Sequence, residues 1–190
     1  ARFLQSMEEF NTLDPIGSIY ENSFRKRKSQ LGDGVTKPKL FTKRKGRLVE
    51  FVCYCLNPNH YHFLLKQVGD KGIEKFMHRL CLGYARYFNI KYQRSGALFQ
   101  GPFKAAHVDP NEYLLYVSAY VNLNNRVHRL GDSVSKSSWK EYINGERGLC
   151  SKEIILSQFK TVARYQYQDF ATGALKVMRE RKDMEHLLVE

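Results

Sequence analysis

Leu48-Val49-Glu50-Phe51-Val52-Cys53-Tyr54-Cys55-Leu56, then Asn57-Pro58-Asn59, then His60-Tyr61-His62-Phe63-Leu64-Leu65-Lys66-Gln67, reads as a β-hairpin. Both runs are rich in β-branched and aromatic residues, which suit a pleated, half-buried surface, and Asn-Pro-Asn between them is turn chemistry. Side chains alternate along a strand, so His60 and His62 share one face while Tyr61 and Phe63 share the other. Cys53 and Cys55 fall on one side of the first strand by the same rule.

Outward from the hairpin, Gly72 to Tyr92 places Ile73, Phe76, Met77, Leu80, Tyr84, Tyr87 and Phe88 at the 3, 4, 7 spacing of one helix face. Arg94-Ser95-Gly96 is a turn, and ALFQGPFKAAHV (97–108) predicts one or two short strands broken at Gly101-Pro102. Asp109-Pro110-Asn111-Glu112 combines an N-cap residue, a Pro at the first helical position and an early acid, which predicts a helix from Pro110 to about Asn124. Beyond Arg129 a Gly- and Ser-rich connection contains SSWKEYI. Ser151 to Phe159 and Tyr165 to about Leu188 then read as helical, the last stretch highly charged. Upstream, Phe3, Leu4, Met7 and Phe10 predict a helix that Asp14-Pro15 stops.

The order helix, strand, strand, helix, strand, helix is that of a ferredoxin-like βαββαβ sheet without its first strand. The expected fold is α+β, an antiparallel sheet with helices on one face and a helical C-terminal tail. Residues 1–145 are expected to form the main domain, with a basic loop at 24–47, and residues 146–190 a helical extension. Because a helix opens the chain, a strand upstream of it is expected to be missing.

A chain of 190 residues can bury one real core, and 43% hydrophobic with 26% charged residues is globular composition. The net charge of +12 points to a polyanion, since Lys and Arg that neutralise phosphates release condensed counterions. Phe24 to Arg47 concentrates that charge: ten basic residues, Arg25, Lys26, Arg27 and Lys28 first among them, against the single acid Asp33. No apolar run approaches a membrane span and no signal-peptide pattern is present, so a soluble, cytoplasmic protein without a membrane partner is expected. Cys53, Cys55, Cys81 and Cys150 have neither zinc-site nor disulfide-ladder spacing and are expected to be buried free thiols.

Neither candidate chemical element persuades alone. Histidines at i, i+2 arise by chance, and a tyrosine on a half-buried helix usually packs. In combination they are more specific. His60 and His62 can aim two imidazoles at one ion, while Tyr120 and Asn124, four apart on the second helix, project from one face. Two imidazoles and an amide oxygen would hold a divalent metal with positions left for phosphate oxygens, and Tyr120 can act as a nucleophile. Imidazole ligands favour Mn²⁺, and cellular abundance favours Mg²⁺.

These motifs resemble those of the REP-associated tyrosine transposases and their insertion-sequence relatives, single-tyrosine HUH transposases of the IS200-like kind. The resemblance runs from about Arg2 to Tyr142. It includes Leu56-Asn57-Pro58-Asn59-His60-Tyr61-His62, the helix KFMHRLCLGYARYFNIKY, the segment from Arg94 to Ala105, Tyr120-Val121-Asn122-Leu123-Asn124, and Trp139 to Tyr142. It implies that His60, His62 and Asn124 are metal ligands and that Tyr120 is the nucleophile. The implied reaction is cleavage of single-stranded or hairpin DNA with a 5′-phosphotyrosine left on the protein and a free 3′-hydroxyl. Relatives of this kind often dimerise, so a homodimer is an expected state. Departures from the pattern are Tyr61 in place of a small aliphatic residue, Pro102 in place of Arg, and Asn125 in place of Pro. Arg94, Phe99, Gln100 and Lys104, with the basic loop, are candidate DNA contacts. The competing readings are a non-catalytic single-stranded nucleic-acid-binding module and a metal-dependent nuclease that uses water.

Overall fold

A computed structural model of the chain describes residues 2–20, 46–109 and 111–187. Most of the basic loop, including Arg25, Lys26, Arg27 and Lys28, lies outside the described residues. The chain divides into two compact units, Ala1–Val49 with Gln67–Ala105, and Glu50–Lys66 with Ala106–Glu190.

In the first unit, helix α1 (Arg2–Glu9) packs on helix α2 (Gly72–Lys91). Met7 and Phe10 from one side, and Phe76, Met77 and Leu80 from the other, are buried at the spacing read from the sequence. Gly83 lets the helix approach the Phe10 ring, where a β-carbon would collide with ring atoms. The Asn11 side chain closes the unit: its Oδ1 accepts from the Leu48 and Val49 N–H groups, each at 3.0 Å, and its Nδ2 donates to the Val49 carbonyl at 2.8 Å. Those backbone groups are buried and lie where the first strand begins, so one amide satisfies three of them.

Gly72, the first residue of α2, is required by contact. A β-carbon there would run into the carbonyl oxygen of Leu48. Alanine normally gains about 1 kcal/mol over glycine within a helix. Here we expect Gly72→Ala to destabilise by more than about 1 kcal/mol, because backbone must move. Urea unfolding checks the sign; a gain in stability would contradict the contact.

In the second unit, strands β1 (Val49–Leu56), β2 (Tyr61–Gln67) and β3 (Lys136–Ser137) form a sheet in the order β2-β1-β3. Strand β3 pairs antiparallel with β1, Cys55 opposite Ser137 and Leu56 opposite Lys136. As the central strand, β1 is buried at Val49 and from Phe51 through Cys55, on both its faces. The fold is therefore α+β with a three-stranded antiparallel sheet.

The strands expected within 97–108 do not form. That segment has no regular structure and is largely exposed; Gly101 sits at φ +78° and is followed by Pro102, which has no N–H to give a ladder. The third strand is instead the two-residue β3. Its neighbour Ser138 secures it, with the Ser138 N–H donating to the Tyr54 carbonyl at 3.0 Å and the Tyr54 N–H donating to Ser138 Oγ at 2.9 Å.

The helix expected up to Asn124 is interrupted at Leu123, giving α3 (Asn111–Asn122) and the short α4 (Asn124–Val127). Helices α5 (Trp139–Ile143), α6 (Glu153–Leu156) and α7 (Ala163–Leu187) follow. The core of this unit joins Val52, Cys53 and Leu64 of the sheet to Ala119, Val121 and Leu123, to Trp139 and Tyr142, and to Tyr167, Ala171 and Met178 of α7. The charged C-terminal helix thus contributes an apolar stripe to the core.

Several polar groups inside this core pair with one another. Tyr142 Oη donates to the Val52 carbonyl at 2.7 Å. Ser138 Oγ donates to Asn122 Oδ1 at 2.6 Å, and Asn122 Nδ2 donates to Tyr167 Oη at 2.9 Å. All four cysteines are free thiols; Cys53 and Cys55 are buried, whereas Cys81 and Cys150 are partly exposed. Among the described residues no helix is long and apolar enough to cross a membrane.

Candidate active site

The hairpin turn sets the first half of the site. The Asn57 N–H donates to the His60 carbonyl at 2.9 Å, so His60 closes the turn and β2 starts at Tyr61. The expected facing is present. The His60 and His62 rings lie edge-on with centroids 5.3 Å apart, and Tyr61 stacks on Phe63 at 4.8 Å.

The second half comes from α3 and α4. The Tyr120 ring meets His62 edge-on at 5.5 Å, and Asn124 Oδ1 lies 3.1 Å from His60 Nε2. His60, His62, Tyr120 and Asn124 are therefore gathered within one unit. Asn124 is fully buried, and its Nδ2 has no hydrogen-bond partner.

The proton inventory shows what the 3.1 Å approach means. His60 Nδ1 is 2.8 Å from Asn59 Oδ1, an acceptor, so the proton sits on Nδ1 and Nε2 presents a lone pair. Asn124 Oδ1 also presents lone pairs, so the two atoms are not hydrogen-bonded to each other. What bridges them is the Asn57 amide, whose Nδ2 lies 2.9 Å from His60 Nε2 and 2.7 Å from Asn124 Oδ1. The orientation of Asn57 is fixed from behind, where its Oδ1 accepts from Ser135 Oγ at 2.9 Å and from Cys55 Sγ at 3.6 Å. An electropositive donor is thus held between two lone pairs that point at one place.

This donor set fits a divalent cation. Two ligands about 2.1 Å from one metal and roughly at right angles lie about 3 Å apart. Among the described residues no three His, Cys, Asp or Glu side chains are grouped to hold a metal, and the Asn124 amide oxygen is the donor that would stand beside the two imidazoles. Leaving Asn124 Nδ2 unpartnered in a buried position is costly, about 1–3 kcal/mol. A side chain kept at that cost is better explained by its oxygen than by packing.

Burial, followed by the proximity of His60, His128 and Lys182, lowers the His62 pKa to about 4. The ring is therefore neutral, with a lone pair to give, at any pH near 7. A depressed histidine pKa also fixes the sign of a pH effect. Between the ordinary value of 6.5 and about 4 the unfolded chain binds more protons than the folded one, so stability is full above 6.5 and falls as pH drops through this window. Metal-free urea unfolding at pH 7 and pH 4.5 should show this loss, and His62→Gln should lose less. Equal losses in the two proteins would remove His62 as its source.

Two neighbours were not among the sequence candidates. One is Asn57, legible only as a turn residue. The other is His128, at the C-terminal end of α4, whose ring centroid is 4.8 Å from that of His60 and whose Nε2 is 3.4 Å from Lys182 Nζ. Burial, then Lys182 and His60, lower its pKa. Its signal in the sequence is spacing: Tyr120, Asn124 and His128 are each four apart.

The candidate DNA contacts outside the basic loop belong to the first unit. Arg94 is exposed, its guanidinium 5.7 Å from the Phe88 ring centre and its Nη2 3.4 Å from the Ala97 carbonyl. Gln100 and Lys104 are exposed and Phe99 is half-buried.

No curated protein and no solved structure matches the chain. The family model described as "Transposase IS200 like" matches residues 25–124, just over half of the chain, and its span includes His60, His62, Tyr120 and, as its last residue, Asn124. With the motifs and the match in agreement, the chain belongs to the IS200-like transposase family of DNA-processing enzymes.

Proposed function

We propose that this protein cleaves and rejoins single-stranded DNA through a covalent 5′-phosphotyrosine at Tyr120, with a divalent cation, Mg²⁺ or Mn²⁺, held by His60, His62 and Asn124. The observation that carries the proposal is the convergence of His60 Nε2 and Asn124 Oδ1 at 3.1 Å, with the Tyr120 ring beside His62. When bound, the cation would supply Lewis-acid stabilisation to the phosphate. The chain's own residues do the rest. Tyr120 Oη forms a bond to phosphorus as the bond from phosphorus to the 3′-oxygen breaks; the phenol loses a proton to water and the departing 3′-oxygen takes one up. Attack by a 3′-hydroxyl on the phosphotyrosine reverses the step and rejoins DNA, the ester having conserved the bond energy.

In this reading β2 and α3 are the elements of a ferredoxin-like catalytic domain, hairpin DNA is the natural substrate, and two copies act together. The test is incubation with a single-stranded hairpin oligonucleotide and Mn²⁺ or Mg²⁺, followed by denaturing electrophoresis. A protein–DNA adduct is expected. His60→Ala and Asn124→Leu should each weaken Mn²⁺ binding by at least tenfold, read by calorimetry, and reduce the adduct in parallel. Cleaved DNA without an adduct would favour hydrolysis by water, and tight binding without cleavage a non-catalytic module.

A further inference from the structure

Away from the candidate centre, the first unit carries a cleft of about 580 Å³ lined by Arg2, Gln5, Tyr84, Tyr87, Lys91 and Tyr92. Its walls are aromatic rings and cations interleaved. The Arg2 guanidinium lies 4.6 Å from the Tyr87 ring centre, and Lys91 Nζ lies 6.0 Å from that of Tyr87 and 5.1 Å from that of Tyr92. Behind them the rings brace one another, with Phe3 edge-on to Tyr84 at 4.7 Å and Phe88 against Tyr92 at 4.5 Å. Tyr92 nevertheless leaves 56% of its surface in solvent.

Ordinary packing accounts poorly for this arrangement. An exposed tyrosine flanked by lysine contributes little to a core, and the phenols of Tyr92 and Tyr87 hold the Lys91 ammonium above its usual pKa, so it stays charged. Arg2 gives one terminal N–H to Gln5, at 3.1 Å. A guanidinium at the wall of a polar cleft can also donate to a phosphate through its terminal nitrogens. The surrounding sequence adds long-range attraction: between Glu74 and Asp109 there is no acidic residue, while Lys75, Arg79, Arg86, Lys91, Arg94 and Lys104 are basic. The acids of α1, Glu8 and Glu9, are nearly two turns along the helix from Arg2.

We propose that this cleft is a subsite for an unpaired nucleotide of single-stranded DNA, the base stacking on the exposed Tyr92 ring and the adjoining phosphate held by Lys91 and by Arg2, which Tyr87 supports from beneath. An exposed aromatic ring beside cations is what binding of an unstacked base requires, and duplex DNA, with its bases already stacked, cannot use it. The proposal rests on the reading of the chain as a DNA-processing enzyme but not on its nucleophile or metal.

The test is therefore made in Tyr120→Phe protein with EDTA, so that failure of the catalytic reading leaves the result interpretable. The probe is a fluorescein-labelled single-stranded oligonucleotide, its duplex as comparison, and a version containing 2-aminopurine to report stacking. Tyr92→Ala and Tyr87→Ala should each weaken single-strand binding about tenfold and diminish the 2-aminopurine quench, with duplex binding changed less than twofold. Tyr92→Phe should retain both signals, which separates stacking from any loss of fold. Lys91→Gln should lower the salt dependence of single-strand binding by about one phosphate contact. Unchanged single-strand affinity in both alanine variants would overturn the proposal, as would equal losses on single strand and duplex with the quench intact.

Discussion

Tyr120→Phe should abolish the covalent protein–DNA species while leaving single-strand affinity within about twofold of wild type. The substitution removes one oxygen and keeps the ring, which is half-buried and lies 5.5 Å from the His62 ring, so packing is preserved. Such a change ordinarily alters stability by less than about 1 kcal/mol. Removing a nucleophile that forms the covalent bond lowers turnover on the order of 10⁴-fold or more. The comparison of adduct formation with binding anisotropy on one oligonucleotide checks this directly. Residual adduct at even a tenth of the wild-type level would mean that another residue attacks.

The second large effect concerns the C-terminal helix. Tyr167 is fully buried, its ring 4.9 Å from Tyr142 and 6.0 Å from Phe159, and its hydroxyl accepts from Asn122 and pairs with Ser118 Oγ at 3.1 Å. Truncating it opens a cavity between α7 and α3 and strands two polar groups. Tyr167→Ala should cost about 3–5 kcal/mol in urea unfolding, and Tyr167→Phe, which removes only the hydroxyl, about 1–3 kcal/mol. Because Ser118 and Asn122 flank Tyr120 on α3, adduct formation should fall in Tyr167→Ala even at temperatures where the protein remains folded. A cost below 1 kcal/mol would show that α7 is dispensable to the fold.

What the sequence revealed and concealed follows from the range of the forces involved. The hairpin was legible because its apolar runs and turn residues are local, and the facing of His60 and His62 follows from strand alternation alone. Helix α2 was legible for the same reason, its buried Phe76, Met77 and Leu80 obeying the helical period. The segment 97–108 misled because Leu98, Phe99 and Phe103 imitate a strand; with a left-handed Gly101 before Pro102, that apolar content did not make one. Strand β3 was invisible because two residues carry no period, and its pairing with β1 and the bonds from Ser138 to Tyr54, far away in sequence, hold it in place.

The site shows the same division. The positions of Tyr120 and Asn124 came from one helix face, although the chain bends at Leu123 between them. Asn57 and His128 belong to the site through contacts across more than sixty residues, which no local pattern records. The role of Asn57 is set by what lies behind it: Ser135 and Cys55 occupy its oxygen, so its nitrogen must face His60 and Asn124.

The most direct measurement is tandem mass spectrometry of the trapped adduct after digestion with protease and nuclease. The account predicts one modified peptide, carrying a nucleotide through its 5′-phosphate on Tyr120, formed only with Mn²⁺ or Mg²⁺ present and absent from His60→Ala protein. A nucleotide on a different one of the chain's twelve tyrosines, or cleaved DNA with Tyr120 unmodified, would contradict it.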